Sequence, residues 1–367
     1  MGEWKTCKWG DLATLEYGKG LKDYLRDDGK YPVYGTNGKI GTCDYFLYPS
    51  AGIIIGRKGA YRGVHFSDTP FYVIDTAFYL KPRITDLDIV FAYYQLLTVD
   101  INYMDSGSAI PSTSREDFYD LDILLPPLPE QQAIASILSS LDDKIDLLHR
   151  QNKTLEALAE TLFRQWFVEE AEEGWDTAKL GNFGAIICGK TPSKKVHSHF
   201  DGNIPFVKIP DMHGKTFVFD TADSLTEEGA KSQNNKHLPP KSILVSCIAT
   251  VGLVTMNAFE SQTNQQINSI IPKHDRYRYY LYLKLMTMKD ELLAMASGGT
   301  ATDNLNTGDF SDIEILMPDE EILKKFHHQV SAHFDNIFAN QAQIRTLTRL
   351  RDTLLPKLMS GEIRVVV

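Results

Sequence analysis

The sequence predicts a mixed α/β (α+β) protein: two globular heads joined by two long antiparallel coiled-coil helices, built on an internal pseudo-twofold repeat. Three observations predict it. The chain contains a copy of itself, since Asp117-Phe118, Pro126 and Gln151 recur without a gap as Asp309-Phe310, Pro318 and Gln343, an offset of 309 − 117 = 192. The start of each half repeats as well. Gly10, Asp11, Leu12, Leu15, Gly18 and Lys19 match Gly181, Asn182, Phe183, Ile186, Gly189 and Lys190, here with an offset of 181 − 10 = 171. The third observation is a pair of heptad-patterned segments, one in each half. The offset grows by 192 − 171 = 21 residues inside the globular part while the helical part keeps its length, as expected if heads carry variable recognition and helices set a fixed distance.

In chain order the expected elements are a first head over 1–126, a long helix over 127–170, a second head over 171–318 and a second long helix over 319–363. The first seam runs Ile134, Leu138, Leu141, Ile145, Leu148, Asn152, Leu155, Ala159, Leu162, Trp166 in alternating steps of four and three. Pro126, Pro127 and Pro129 precede it, and Glu130 puts acid into the first turn. About 38 residues at ~1.5 Å each give roughly 57 Å. A shift of 192 gives the second seam, from Phe326 through Val330, His333, Ile337, Asn340, Ile344, Leu347, Arg351 and Leu354 to Leu358, more polar but of the same period. A twofold relation would run the two helices antiparallel. If Asn152 at an a position then faces Asn340 at a d position, paired positions sum to 492 and this polar pair fixes the register.

A chain of 367 residues can bury two or three cores. No apolar run approaches the ~20 residues needed to span a bilayer, and Met1–Lys5 lacks the apolar core of a signal peptide, so a cytoplasmic protein with no membrane partner is expected. Cys7, Cys43, Cys188 and Cys247 lie far apart with no Cys-x-x-Cys pair, which suggests reduced thiols rather than disulfides or a zinc ribbon. The net charge of −10 argues against a strong non-specific grip on DNA. By region, 1–126 carries 13 basic and 17 acidic groups, 127–170 carries 4 and 8, 171–318 carries 14 and 17, and 319–367 carries 7 and 6. A DNA-binding role therefore needs focused positive patches, or a partner that supplies phosphate contacts.

Turn and strand motifs fill the heads: YPVYGTNGKIG over 31–41, GIIIGRKGAYRGV over 52–64 and GSAIPSTSREDF over 107–118, leading to LLPPLPEQQ over 124–132. The second head carries GKTP over 189–192, IPFV over 204–207, ILVSCIATVG over 243–252 and TNQQ over 263–266, and the tail reads LLPKLMSG over 354–361. By their order, duplication and attached helices, these motifs resemble the DNA-specificity subunit of type I restriction–modification systems over essentially the whole chain. The resemblance implies a non-catalytic adaptor with two target-recognition domains, each reading one half of a bipartite double-stranded DNA site, and helices that measure the spacer. It also implies docking of two methyltransferase subunits, which restriction subunits can join. S-adenosylmethionine, ATP and Mg would then belong to those partners, with no cofactor, metal or catalytic residue in this chain.

The residue chemistry fits exposed turns tipped with groups that reach phosphates or base edges. The candidate DNA-binding residues of the first head are Asn37, Lys39, Arg57, Lys58, Tyr61, Arg62, Ser112 and Arg115. Those of the second are Lys190, Thr191, Ser193, Lys194, Lys195, Lys208, Gln265, Thr300 and Asn304. Each is also compatible with a plain solvated turn.

Other chemistries fit less well. Gly184 to Thr191 matches a phosphate-loop pattern, but its interior is Ala, Ile, Ile, Cys, and Pro192 with a polar run follows instead of an amphipathic helix. A fused methyltransferase would need an Asn/Asp-Pro-Pro-aromatic loop, yet the Pro-Pro pairs follow Leu125 and Leu238. No carboxylate cluster with a nearby lysine recurs in both halves. His197, His199 and His327-His328 lack further ligand spacing, and the helical histidines 327, 328 and 333 read as surface or seam residues. A stand-alone sequence-specific DNA-binding protein without enzyme partners is the alternative. The weak basic charge disfavours it.

Overall fold

The computed structural model describes residues 3–104, 111–171, 174–297 and 304–366. The chain forms two compact units, one made of Met1–Asp146 with Thr346–Val367, the other of Leu147–Arg345. Each long helix therefore contributes to both units.

In the first unit, Lys5–Lys8 pairs antiparallel with Asp122–Leu125. A four-stranded antiparallel sheet runs in the order Ala13–Tyr17, Ala77–Pro82, Gly52–Gly56, Val64–Ser67. A three-stranded sheet places Tyr31–Gly35 between Gly38–Cys43 and the parallel Tyr72–Val73. The strand Gly52–Gly56, reading GIIIG, is buried along its whole length, which fits its central place with both faces covered. The helix Ile89–Leu97 starts at Asp88, whose carboxylate accepts from the amides of Val90 and Phe91. Trp9, Phe78, Phe91, Phe118, Ile134, Leu138 and Leu358 share one core, so the beginning of the first long helix and the end of the second are packed into this unit.

The second unit repeats the plan. Asp176–Lys179 pairs with Glu314–Met317, and Gly184–Cys188 borders a five-stranded sheet with Ile267–Pro272, Ile243–Ser246, Val254–Asn257 and Phe217–Val218. The equivalence is visible bond by bond. Lys8 faces Asp122 as Lys179 faces Glu314. Ser114 accepts from the Asp117 amide at 3.2 Å, and Asn306 accepts from the Asp309 amide at 3.0 Å, each capping a short helix whose Phe118 or Phe310 is fully buried. Gly18 and Gly189 also correspond. A Cβ on Gly18 would lie 2.0 Å from the Ile74 carbonyl oxygen, and one on Gly189 would lie 2.2 Å from that of Asn264, so close backbone approach requires glycine at both.

These pairs locate the 21 extra residues. The offset is 179 − 8 = 171 at the first ribbon and 207 − 34 = 173 at the parallel strand pairs. It reaches 238 − 48 = 190 at the next bridges and 306 − 114 = 192 at the helix caps. Most of the growth, 190 − 173 = 17 residues, lies between Val207 and Leu238, where the second head adds the helices Ile209–Met212 and Glu227–Lys231 and the strand Phe217–Val218, while its strand Asp223–Leu225 pairs with Phe200–Val207 as Gly38–Cys43 pairs with Tyr31–Gly35.

The long helices span Leu128–Arg164 and Glu320–Met359. The first closes with a π turn, Gln165–Glu169. In the second unit Asn340 Nδ2 donates to Asn152 Oδ1 at 2.9 Å, and the rings of Trp166 and Phe326 lie 5.9 Å apart; both pairs sum to 492. In the first unit Arg351 Nη1 donates to Asp142 Oδ1 at 2.7 Å, a sum of 493. The helices thus run antiparallel in each unit.

The expected seam changes where the helices meet the second head. The buried residues there are Ala159, Phe163 and Phe167, steps of four, rather than Leu162 and Trp166, which are only partly buried. On the partner helix, Phe334 is buried where the heptad placed His333. A helix that must cover a domain face presents a wider apolar stripe than a two-helix seam, and Phe163 and Phe167 use it to reach Tyr280 and Phe326. His327 likewise leaves the surface role, stacking on Tyr279 with ring centroids 5.2 Å apart, and burial lowers its pKa. Gly184–Cys188 is an extended edge strand whose alternate amides bond Ile267–Pro272, so it cannot wrap its amides around a phosphate as a loop would.

Candidate nucleic-acid interface

Three loops of the first head are laced together by backbone bonds. Gly63 N donates to Thr36 O at 3.1 Å, Gly59 N to Pro111 O at 3.0 Å, and Thr113 N to Arg57 O at 2.9 Å, while Lys58 bridges Ser112. This lacing gathers Asn37, Lys39, Arg57, Lys58, Tyr61, Ser112 and Arg115 at one group of loops. Asn37, Lys39 and Tyr61 are exposed, and Gly38 takes φ +108 to close the hairpin that carries Asn37.

Two of the basic residues share an aromatic mount. The Arg57 guanidinium lies 4.7 Å from the centre of the Tyr17 ring and 5.7 Å from that of Phe78, and Arg115 lies 5.2 Å from Tyr17 and 5.7 Å from Tyr119. Cation–π attraction holds each charge on the ring face. Arg57 Nη1 also donates to Asp75 O at 2.9 Å, and Arg115 Nε to the Tyr119 hydroxyl at 3.3 Å; the hydroxyls of Tyr119 and then Tyr17 push the Arg115 pKa up. Sequence reasoning missed Tyr17, Phe78 and Tyr119. The available signal for Tyr17 was its place directly before the duplicated Gly18-Lys19 anchor.

Arg62 has a different position from the one its motif suggested. It is 2 % exposed, and its guanidinium donates to the carbonyls of Gly59, Ile101, Asn102 and Met104, tying the Tyr61 turn to the Ile101–Tyr103 turn. Its donors face inward. A buried guanidinium is stable here because four carbonyls meet it.

In the second head, Thr191 Oγ1 donates to Gln265 Oε1 at 2.8 Å, Lys190 N to Thr263 O at 2.9 Å, and Cys247 N to Gln266 O at 2.8 Å; Asn304 bridges Ile248 as Ser112 bridges Lys58. Lys190, Thr191, Gln265 and Asn304 are thereby collected. Ser193, Lys194 and Lys195 are exposed on a following turn, and Lys208 is ion-paired with Asp223, which neutralises it. Thr300 lies outside the described residues. At the apex of this loop group Ala249 holds φ +65, where the first head has Gly59 at φ +123. A left-handed alanine is strained, and such strain collects at functional loops. Among the described residues no group of three or more His, Cys, Asp or Glu side chains could hold a metal ion, and no helix is long and apolar enough to cross a membrane.

A duplicated α/β head with a loop-borne polar edge and antiparallel helices defines a two-headed recognition protein. The chain belongs to the family of the type I restriction modification DNA specificity domain, whose model matches residues 1–157 and again 172–349. It is 37% identical to the type I restriction enzyme HindI specificity subunit of Haemophilus influenzae, over 70% of this chain and 72% of that one. It is 28% identical to the MjaIX specificity subunit of Methanocaldococcus jannaschii, over 99% and 87%. The type I restriction–modification S subunit from M. genitalium shares its fold, with a TM-score of 0.71 at 19% identity over 97% of this chain and 96% of that one.

Proposed function

We propose that this chain is the DNA-reading subunit of a type I restriction–modification assembly, each head contacting one half of a split site and the long helices setting the spacer. The observation that carries this reading is the double match to a DNA specificity domain, with the same hydrogen-bonded loop frame in both copies. A protein with two related heads suits a target in two halves.

Catalysis then belongs to partners. Methyltransferase subunits dock on this chain and bring S-adenosylmethionine, and restriction subunits, where they join, bring ATP and Mg chemistry. The net charge of −10 supports such sharing, because the partners would supply phosphate contacts that this chain's balance cannot. Within the chain, Asn37, Lys39, Arg57, Lys58, Tyr61, Ser112 and Arg115 would face one half-site, and Lys190, Thr191, Gln265 and Asn304 the other. Ser193, Lys194 and Lys195 would add phosphate contacts.

The test is methylome sequencing of cells that express the chain with its methyltransferase partner, against cells lacking the chain. The expected result is one split motif with a methylated base in each half, absent without the chain. Unchanged methylation with an active partner would overturn the proposal, and tight specific binding by the purified chain alone would favour a stand-alone DNA-binding protein.

A further inference from the structure

Position-by-position equivalence of the two heads exposes one place where the same frame carries opposite chemistry. Tyr17 pairs with Phe78 across the sheet as Cys188 pairs with Asn268. The Arg57 carbonyl accepts from the Thr113 amide as that of Cys247 accepts from the Leu305 amide. Arg115 follows the cap Ser114 as Thr307 follows the cap Asn306. The cluster Tyr17, Phe78, Arg57, Arg115 therefore has as its counterpart Cys188, Asn268, Cys247, Thr307. The first holds two cations on aromatic rings. The second is uncharged, with Thr307 Oγ1 donating to Asn268 Oδ1 at 3.0 Å and burial pushing the Cys247 thiol up to about 11.

We propose that Arg57 and Arg115, mounted on Tyr17, read a guanine in the half-site of the first head, and that the second head reads no guanine with the equivalent position. Neither arginine has a carboxylate partner among the described residues, so both charges remain available to a ligand. A guanidinium fork matches the O6 and N7 acceptors of guanine, and the ring mount removes rotamer freedom that a free surface lysine would lose on binding. A phosphate partner fits less well. The phosphate backbone is the same at both halves of a site, so a contact to it would be expected in both copies of a duplicated frame; a contact present in only one copy is the kind that distinguishes sequences.

This inference rests on the DNA-reading function proposed above, and one experiment separates the two. The methylated motif is determined by sequencing for cells carrying the methyltransferase partner with the unmodified chain, Arg57→Lys, Arg57→Gln, Arg115→Lys or Arg115→Gln. The unmodified chain should yield a split motif with guanine in one half. At least one arginine should relax that guanine to other bases in both its Gln and Lys forms, by roughly 5- to 150-fold in preference, leaving the other half unchanged. Lysine keeps the charge and loses the fork. No motif with the unmodified chain would sink the DNA-reading function itself. A motif unaltered in all four variants would overturn this inference alone, as would relaxation at a base other than guanine. So would methylation lost uniformly at an unchanged motif in the Gln forms and retained in the Lys forms, the behaviour of a phosphate contact. Complete loss in every variant would mark the arginines as structural and overturn it as well.

Discussion

Replacing the asparagine pair of the long helices by leucine should give an asymmetric result. Asn152 is 6 % exposed while Asn340 is half-buried, and their amides share one bond of 2.9 Å. In Asn340→Leu, the buried Asn152 carbonyl oxygen loses its donor, a cost of about 1–3 kcal/mol. In Asn152→Leu, water can reach the Asn340 amide, so the lost bond costs about 1 kcal/mol, and burial of leucine recovers a similar amount. The double variant leaves no orphan and should equal or exceed the unmodified protein. The cycle therefore predicts a coupling of about 1–3 kcal/mol, with Asn340→Leu the more damaging single change. Native-state hydrogen exchange at amides of 147–164 and 326–345 measures it locally, which avoids treating a two-unit chain as two-state. Effects that add to within about 0.5 kcal/mol, or greater damage from Asn152→Leu, would refute the reasoning. Such a result would mean that the pair does not specify register.

Three other outcomes follow from the geometry. Glu130, 4 % exposed, accepts from Arg364 Nε at 2.6 Å and Trp4 Nε1 at 3.1 Å, and chiefly Arg364, then Trp4, hold its carboxyl below the ordinary range. Its contribution to stability is complete above about pH 4.3 and lost as pH falls through its lower folded value, so urea midpoints of Glu130→Gln should be lower at neutral pH and less acid-dependent than those of the unmodified chain. Ala249→Gly should stabilise the second unit by about 1 kcal/mol, because glycine adopts φ +65 without the Cβ clash; hydrogen exchange in the Ile243–Ser246 strand would register a loss instead if the turn is unstrained. Inserting one heptad into each long helix adds about 10 Å and should lengthen the spacer of the methylated motif by roughly three base pairs with both half-sites intact. Altered half-sites would refute the spacer role.

The duplication was legible in the sequence because it survives as identities at places with no chemical freedom. Gly18 and Gly189 cannot carry a Cβ, and Phe118 and Phe310 fill the same buried position. The heptads were legible from their alternating steps of four and three, which put an asparagine on each seam; that Asn152 faces Asn340 was conditional on an antiparallel twofold relation, and their 2.9 Å bond supplies it. The candidate loops were partly legible. Turn residues mark where side chains can be exposed, and the structure gathers most of the first head's set. Arg62 shows the limit, since the same arginine in the same turn serves as an inward anchor once the Ile101–Tyr103 carbonyls surround it.

Local pattern determined the repeat, the helices and the turn positions, because these depend on residues close in sequence or on glycines and aromatics with few substitutes. Only the tertiary structure decided the rest. The helix seam shifts to Phe163, Phe167 and Phe334 because distant strands and helices need covering, and the 17-residue growth becomes two helices and one strand added to the second head. Tyr17, Arg57 and Arg115 come from three separate segments, and their cluster exists because sheet register and loop bonds bring those segments together. Such long-range contacts leave no periodic trace in a single chain, and they are where the two heads differ most in chemistry.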